Sequence, residues 1–179
     1  MGKRVVVFID GSNLYHGMRS SLGKINIDYA SFVKKLVGDR ELVRVYYYLP
    51  TVNKDEAEDQ YKSQQRFLSY LLDIPYFHVK FGRLARQGNH LIEKSLDVQI
   101  AVDMVRYAAN DLYDIAILVS GDGDFAPAVE AIKEMGKQVE NAFFLNESSV
   151  HLRQISDKFI EFTPEFLEGC IFVKEEGDK

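Results

Sequence analysis

Two clusters of oxygen-bearing side chains directly follow runs of apolar residues, and these clusters are the segments best able to do chemistry. Asp10 and Asn13 follow the run VVVFI. Ser120, Asp122 and Asp124 follow the run IAILV. Carboxylate, amide and hydroxyl oxygens can hold a divalent cation, orient a water molecule or cap a helix. Which of these they do depends on whether the two clusters meet in the folded chain.

Each cluster also has a purely structural interpretation. Asp10 could simply cap the helix that follows it near Leu14, and the segment SGDGD could be a turn and a helix cap. A calcium loop of the EF-hand type is excluded for this segment. That pattern requires Asp or Asn at its fifth position and Gly at its sixth, where this chain has Ala126 and Pro127.

A further acidic residue, Asp97, lies at the start of a helix predicted over 96–109. With about 100° per residue, Asp97 lies close to Met104 and Ala108, on the margin of the predicted apolar stripe. A carboxylate that faces the core is costly unless it caps, pairs or binds a metal. Asp103 falls on the polar side of this helix and is predicted to be solvated. The apolar stripe is predicted from Val98, Ala101, Val102, Val105, Ala108 and Ala109.

The elements that must position these residues alternate between strand and helix. Strands are predicted over 3–9, 42–49, 76–81, 115–119, 138–145 and, at an edge, 158–162. Helices are predicted over 29–37, 54–72, 96–109, 125–135 and 148–155. Residues 82–89, which include two glycines and two arginines, are predicted to form a loop or a hairpin.

Continuous apolar strands that alternate with helices indicate a parallel sheet covered on both faces. The predicted fold class is therefore α/β, a three-layer α/β/α sandwich with a mostly parallel, Rossmann-like central sheet. In such sheets, ligands bind beyond the carboxyl ends of the strands. Asp10 and the segment Ser120–Asp124 would share one rim of the sheet if strands 3–9 and 115–119 are neighbours.

Length and composition limit the classes of protein to which the chain can belong. A chain of 179 residues with 46% hydrophobic and 27% charged residues fits one globular domain. No apolar stretch approaches the roughly 20 residues needed to span a bilayer, and no signal peptide is predicted. Cys170 is the only cysteine, which excludes an intrachain disulfide and favours a cytoplasmic setting. The net charge of −5 argues mildly against tight, non-specific binding of nucleic acid.

Carboxylates that converge within a few ångströms cannot all be ionised unless a cation lies between them. The converging side chains would therefore have raised pKa values or hold a divalent metal. Because all their donor atoms are oxygens, Mg²⁺ or Mn²⁺ is the expected ion. Such a site activates water and stabilises charge on a phosphoryl oxygen, with one metal or with two. The predicted ligands are Asp10, Asp97, Asp122 and Asp124.

Three segments, taken in order, resemble the NYN family of LabA-like proteins within the PIN-like nuclease superfamily. They are FIDGSNLYHGM, EKSLDVQIAVDM and ILVSGDGDFAPAVEAIKEMGKQV. The resemblance extends from the first strand to about Asp157. It implies a PIN-like fold and metal-dependent hydrolysis of RNA phosphodiester bonds. It also implies the same acidic ligands, Asp10, Asp97, Asp122 and Asp124, with Asn13 and Ser120 as further catalytic residues beside them.

The chain departs from the family's pattern at one of these segments. Where the family often has Lys-Gly-Val-Asp, this chain has Lys94-Ser95-Leu96-Asp97, which keeps the lysine and the aspartate. Asp103 also matches a recurrent aspartate of the family. On this basis we expect the NYN domain to span residues 1–168 and a polar C-terminal tail to span 169–179.

RNA is the partner that the resemblance implies, and a basic segment offers a place for it. Residues 78–94 contain one acid, Glu93, among several cations, and they lead directly to Asp97. Such a segment beside an acidic site suits a phosphate backbone, although a solvated hairpin is an equal alternative. The tyrosines of 46–48 could stack on bases, but core packing is favoured. The predicted RNA-binding residues are Lys80, Arg83, Arg86 and Lys94.

Two other functional classes remain open from the sequence. A non-catalytic RNA-binding or regulatory module could keep the fold and its carboxylates without turnover. A different phosphoryl-transfer enzyme is disfavoured. A haloacid-dehalogenase-like phosphatase needs an aspartate where this chain has Ser12, and a topoisomerase-primase-type site needs a glutamate where it has Asp10. The sequence also leaves a homodimer open.

Overall fold

The fold is built from eight strands and seven α-helices in the residues that the computed structural model describes: 2–23, 26–52, 54, 57–87, 90–94 and 96–172. For 83–87 and 90–94 it describes the backbone alone. The strands are β1 Arg4–Asp10, β2 Glu41–Leu49, β3 Phe77–Phe81, β4 Arg83–Gln87, β5 His90–Lys94, β6 Ile115–Val119, β7 Gln138–Phe143 and β8 Lys158–Glu161. The helices are α1 Gly11–Leu22, α2 Tyr29–Val37, α3 Glu58–Leu72, α4 Leu96–Ala109, α5 Ala126–Glu134, α6 Val150–Ile155 and α7 Pro164–Leu167.

The central sheet contains six strands in the order β3-β2-β1-β6-β7-β8. Every neighbouring pair in it is parallel. The predicted parallel sheet is thus confirmed, and the two strands that precede the acidic clusters are neighbours. β4 and β5 form a separate antiparallel hairpin between β3 and α4. The hairpin alternative predicted for 82–89 is therefore confirmed for 83–87, which pair with 90–94, and residues 88 and 89 lie outside the described residues.

Helices cover both faces of the sheet, because the strands are apolar on both sides. Along β1, Val5, Val7 and Ile9 join a core with α1, α2, α3 and α7. Val6 and Phe8 point to the other face, where they join a core with α4, α5 and α6. Strands that are buried on both faces read as continuous apolar runs, which is why β1 and β6 were recognisable in the sequence. The three-layer α/β/α sandwich is confirmed.

Several element boundaries differ from those predicted. The helix predicted from residue 54 begins at Glu58, and the strand predicted to residue 145 ends at Phe143. The short helix α7, capped by the Thr163 side chain, was not predicted. Beyond it, Cys170 is buried and Ile171 pairs with Ile27, so the first residues of the predicted tail pack against the domain. Residues 173–179 of that tail lie outside the described residues.

The predicted buried face of α4 is wrong only in part, because Ala101, Val105 and Ala108 do pack against the core. Val98 and Val102 are 58% and 56% exposed, although both belonged to the predicted apolar stripe. Asp103 is only 5% exposed, so its predicted solvation is also wrong. The helix turns its larger apolar side chains inward instead, because burying them removes more apolar surface from water. The buried face consists of Leu96, Ile100, Asp103, Met104, Tyr107 and Ala108.

Candidate active site at the carboxyl edge of the sheet

The two acidic clusters meet where the strand order reverses. From β1 the chain adds β2 and β3 on one side of the sheet, and then β6 on the other side. Ile9 lies opposite Val119 in the ladder between β1 and β6. Consequently Asp10 and Ser120, the next residues of each strand path, are adjacent, and the Ser120 hydroxyl donates to Asp10 Oδ2 over 3.2 Å. Open α/β sheets bind ligands at this kind of switch point.

Hydrogen bonds tie the loops after β1 and β6 into one unit. Asp10 Oδ1 accepts from the backbone N–H of Asn13 over 3.0 Å, which caps α1. The Asn13 side-chain oxygen in turn accepts from the backbone N–H of Gly121 over 2.8 Å. Ser120 Oγ accepts from the backbone N–H of Asp122 over 3.2 Å. The capping role considered for Asp10 is therefore confirmed. Asp10 caps α1 and also lies at the rim of the sheet.

Two glycines allow this close approach of the loops. A Cβ atom on Gly11 would overlap the Tyr47 ring and the Tyr48 carbonyl oxygen. A Cβ atom on Gly121 would overlap the Glu147 carbonyl oxygen and the Phe143 ring. Neither position tolerates a side chain without movement of the backbone around the rim.

Asp10 is buried among other acids. Its side chain is 4% exposed, and burial is the largest cause that raises the pKa of its carboxyl to about 6. The negative charges of Asp97 and Asp122 raise the pKa further. The hydrogen bonds from Asn13 and Ser120 oppose this by stabilising the carboxylate. Asp10 is thus a carboxyl group that an adjacent cation would favour in its ionised form.

Asp97 belongs to the same electrostatic group, although it does not face the core as expected. It is exposed at the first turn of α4. Desolvation raises the pKa of its carboxyl, and the charges of Asp122 and Asp124 raise it further. The side chain of Asp124 is exposed, and its backbone N–H donates to Asp122 Oδ1 over 2.9 Å. Charges on α4 and on the loop after β6 therefore act on Asp10, and charges on that loop act on Asp97.

The acids are near one another without forming a ready-made metal cage. In the described part of the chain, no group of three or more His, Cys, Asp or Glu side chains is placed to hold a metal ion. The donor chemistry nevertheless fits Mg²⁺ or Mn²⁺, because all four side chains offer oxygen only and repel one another. Mg²⁺ commonly keeps several waters and uses few direct carboxylate contacts, so close packing of all four acids is not required.

A second charged cluster lies beside the rim, and sequence reasoning missed it. Asp103 Oδ2 accepts from Lys80 Nζ over 2.6 Å and from the Tyr48 hydroxyl over 3.0 Å. Asp103 Oδ1 accepts from Arg106 Nη2 over 2.9 Å, and Lys80 also donates to the Tyr107 hydroxyl over 2.7 Å. The signal that could have found it is the helical spacing of 96, 100, 103 and 107, which places Asp103 among buried residues.

The basic segment is attached to the rim at both of its ends. The Gly82 N–H donates to the Leu49 carbonyl oxygen over 2.9 Å, so β4 leaves from the carboxyl edge of the sheet. β5 leads into α4, whose first turn carries Asp97. Arg83 and Lys94 are opposite each other in the hairpin ladder. The side chains of Arg83, Arg86 and Lys94 lie outside the described part of the structure, so their RNA contacts stay predictions.

The tyrosine run 46–48 packs in the core. Tyr47 and Tyr48 are buried, while Tyr46 is half-buried and stacks on Phe8 and Tyr107. The packing role favoured for this tyrosine run is confirmed.

The fold and the rim together define an α/β protein with an acidic cluster at the switch point of a parallel sheet. The chain belongs to the NYN domain family, whose model matches residues 4–167. It is 26% identical over 165 residues to the low amplitude and bright protein LabA of Synechococcus elongatus, covering 88% of this chain and 83% of that protein. None of the helices in the described ranges combines the length and the apolar character that a membrane crossing requires.

A solved structure shares the fold. The crystal structure of a protein of unknown function from Vibrio parahaemolyticus is 25% identical to this chain and superposes with a TM-score of 0.72. The match covers 92% of this chain and 96% of that one.

Proposed function

We propose that the protein is a Mg²⁺- or Mn²⁺-dependent ribonuclease that hydrolyses phosphodiester bonds of RNA. The observation that carries this proposal is the buried carboxyl of Asp10 at the switch point, with its pKa raised by burial and by the charges of Asp97 and Asp122. A buried acid whose pKa is raised by desolvation and by specific neighbouring charges is typical of a functional site. Membership of the NYN family, a nuclease-like family, supports the same conclusion.

Each residue of the rim has a role in this proposal. Asp10, Asp97, Asp122 and Asp124 would hold the cation. A bound divalent cation supplies an activated water and offsets the negative charge that develops on the phosphoryl oxygens. Ser120 orients Asp10, because its hydroxyl donates to that carboxylate.

Asn13 would contact the substrate directly. Its side-chain oxygen is held by the Gly121 N–H, which fixes the plane of the amide. We propose that its Nδ2 donates a hydrogen bond to a phosphoryl oxygen or to the attacking water, since a preorganised donor stabilises charge that forms in the transition state.

The RNA backbone would cross the rim next to the β4–β5 hairpin. A phosphate chain there would meet cations on one side and the acidic cluster on the other. Lys80 is already engaged by Asp103 and Tyr107 and is 15% exposed. We therefore expect Arg83, Arg86 and Lys94 to contribute more to RNA affinity than Lys80.

The test is cleavage of end-labelled, single-stranded RNA with Mn²⁺ and with EDTA. We expect cleavage in Mn²⁺ only, and about a hundredfold loss in Asp10→Asn and Asp122→Asn, the range seen when metal sites are weakened. Asp73→Asn is the matched control, because Asp73 is an exposed acid at the end of α3, away from the rim. Equal cleavage by the wild type and both rim variants would remove the proposal, since a contaminating nuclease would then explain it.

One observation favours a second candidate, a non-catalytic RNA-binding or regulatory module. The acids of the described residues do not form a group placed to hold a metal. If that arrangement persists with RNA bound, the domain would bind RNA without hydrolysing it. RNA binding that is unchanged by EDTA, with no product at any metal concentration, would support this candidate over the nuclease.

A further inference from the structure

A cleft of about 490 Å³ opens beside the acidic rim, on the opposite face of the sheet from α4. Its walls come from α1, α3 and the end of β2. The cleft includes Gly11 and Ser12, the two residues that directly follow Asp10. Its volume falls within the range of about 300–1,000 Å³ that is common for small-molecule sites. The acidic rim and the cleft are therefore continuous through the first turn of α1.

The lining of the cleft is mostly aromatic and aliphatic, and His16 is the one basic side chain among the described residues that line it. Tyr15, Tyr47 and Phe67 contribute rings to it, and Ser63 and Gln64 contribute polar groups. Among the described residues that line it, none is Asp, Glu, Lys or Arg. An ammonium group would lose its hydration there without gaining a carboxylate partner, and a phosphate would meet no lysine or arginine, only the imidazole of His16. A flat, uncharged heteroaromatic ring with polar edges matches such a lining.

The walls of the cleft are held in place before any ligand arrives. The hydroxyls of Tyr29 and Tyr47 are hydrogen-bonded at 3.0 Å, and their rings meet edge to face with centroids 5.3 Å apart. The Phe67 ring lies 5.6 Å from that of Tyr47. Gln64 Nε2 donates to the Pro50 carbonyl oxygen over 2.7 Å, which orients its amide. A preformed site of this kind loses little entropy on binding.

We infer that this cleft binds a nucleobase of single-stranded RNA, the base next to the phosphate that lies over the acidic rim. The inference rests on the proposed function. Single-stranded RNA exposes bases that can stack on aromatic side chains and bond through their edges. Tyr15, which is 41% exposed, is the ring at the mouth that can stack on the base, and the Gln64 amide can bond its edge. The cleft thereby gives the site a preference for unpaired RNA.

The experiment uses short, single-stranded RNAs that carry 2-aminopurine at one position each. The protein contains no tryptophan, so the fluorescence of the probe is read without overlap. Binding is measured in Mg²⁺ and again in EDTA, and RNA integrity is followed on a gel. We expect quenching at one position of the RNA, where the base is stacked. In Tyr15→Ala, that quenching is lost and affinity falls about tenfold, as is usual when one base-stacking side chain is removed.

Two further variants keep the result interpretable. Tyr76→Ala is the matched control, because Tyr76 is also an exposed tyrosine, 63% exposed, and lies immediately before β3 at the opposite edge of the sheet. Ser63→Leu places a larger side chain on the exposed surface of α3 at the cleft. We expect Tyr76→Ala to behave as the wild type and Ser63→Leu to reproduce the loss seen in Tyr15→Ala.

The outcomes separate the cleft from the nuclease. RNA cleavage with no position-specific quenching, and with wild-type affinity in Tyr15→Ala and Ser63→Leu, would overturn the nucleobase inference and leave the proposed function standing. Quenching that Tyr15→Ala abolishes, without cleavage at any metal concentration, would support the cleft as a base site and overturn the nuclease.

Discussion

Lys80 Nζ lies 2.6 Å from Asp103 Oδ2, and this pair joins β3 to the middle of α4. The two side chains are only 15% and 7% exposed. Lys80 is opposite Tyr48 in the ladder between β2 and β3, and Tyr48 is opposite Asp10 between β1 and β2. The ion pair therefore fixes α4, and with it Asp97, to β3, two strands away from the strand that carries Asp10.

Loss of Asp103 should destabilise the domain strongly. In Asp103→Ala, Lys80 keeps its charge in a mostly buried place without its carboxylate, which costs about 3 kcal/mol or more. Unfolding in urea measures this loss. The double variant Lys80→Met/Asp103→Leu should recover most of it, because no buried charge is left unpaired.

The matched control for that prediction is an exposed ion pair. Glu58 and Lys62 form an i,i+4 ion pair on α3, and their side chains are 62% and 61% exposed. We expect Lys62→Ala to change stability little, because exposed pairs are screened by water and salt. An Asp103→Ala protein as stable as Lys62→Ala would contradict a structural role for the buried pair.

The position of the rim could be predicted from the sequence because the two strands that support it are buried on both faces. The runs Val5–Ile9 and Ile115–Val119 predicted parallel strands, and the rule for parallel sheets then placed their polar ends at one edge. That these two strands are neighbours depends on the order of the whole sheet, which no local pattern encodes. The cleft depends in the same way on how α1 and α3 lie side by side.

The face of α4 shows why other features could not be predicted. The predicted stripe includes Val98 and Val102, because helical periodicity does not distinguish small apolar residues from large ones. Burial is decided by area, and Met104 and Tyr107 remove more apolar surface from water than two valines. The burial of Asp103 further depends on Lys80, which is 23 residues earlier in the chain and on another element. Helical periodicity alone cannot anticipate such a partner.

Asp10 should make the metal-free domain less stable as pH rises. The pKa of its carboxyl is about 6 in the folded protein, above the ordinary value of 3.8. The protonated form is therefore favoured by folding, and this stabilisation is complete below about pH 4 and lost as pH rises through about 6. The full difference is about 3 kcal/mol. Asp97, whose pKa is also raised, adds to the same trend.

Urea unfolding in EDTA at several pH values measures how much Asp10 contributes to the pH dependence of stability. Other acids titrate as well, so the informative quantity is the difference between the wild type and Asp10→Asn. Asn keeps the helix-capping oxygen but carries no charge. We expect Asp10→Asn to be more stable than the wild type at pH 7.5 and to approach it at pH 4. A constant difference between the two proteins across this range would contradict the burial of an ionisable carboxyl at this position.

Cation binding at the rim should compete with the proton on Asp10. Because the carboxyl must ionise to bind a cation, the affinity for Mn²⁺ should rise with pH and level off above about pH 6. Below that value we expect affinity to fall about tenfold per pH unit. The melting temperature at increasing Mn²⁺ concentration reports this affinity, since a ligand that binds only the folded state stabilises it. Asp10→Asn should lose the Mn²⁺ response, whereas Asp73→Asn should keep it.

Gly121 should be essential to the geometry of the rim. In Gly121→Ala, the new Cβ atom overlaps the Glu147 carbonyl oxygen and the Phe143 ring, so the backbone must move. Movement there breaks the hydrogen bond between the Gly121 N–H and Asn13, and overpacking costs about 1–3 kcal/mol. Gly2→Ala is the control, because its Cβ atom meets nothing closer than 3.8 Å. We expect the free energy of unfolding in urea and the rate of RNA cleavage to fall in Gly121→Ala and to stay unchanged in Gly2→Ala. A Gly121→Ala protein that matches Gly2→Ala in both measurements would show that the two loops need not approach so closely.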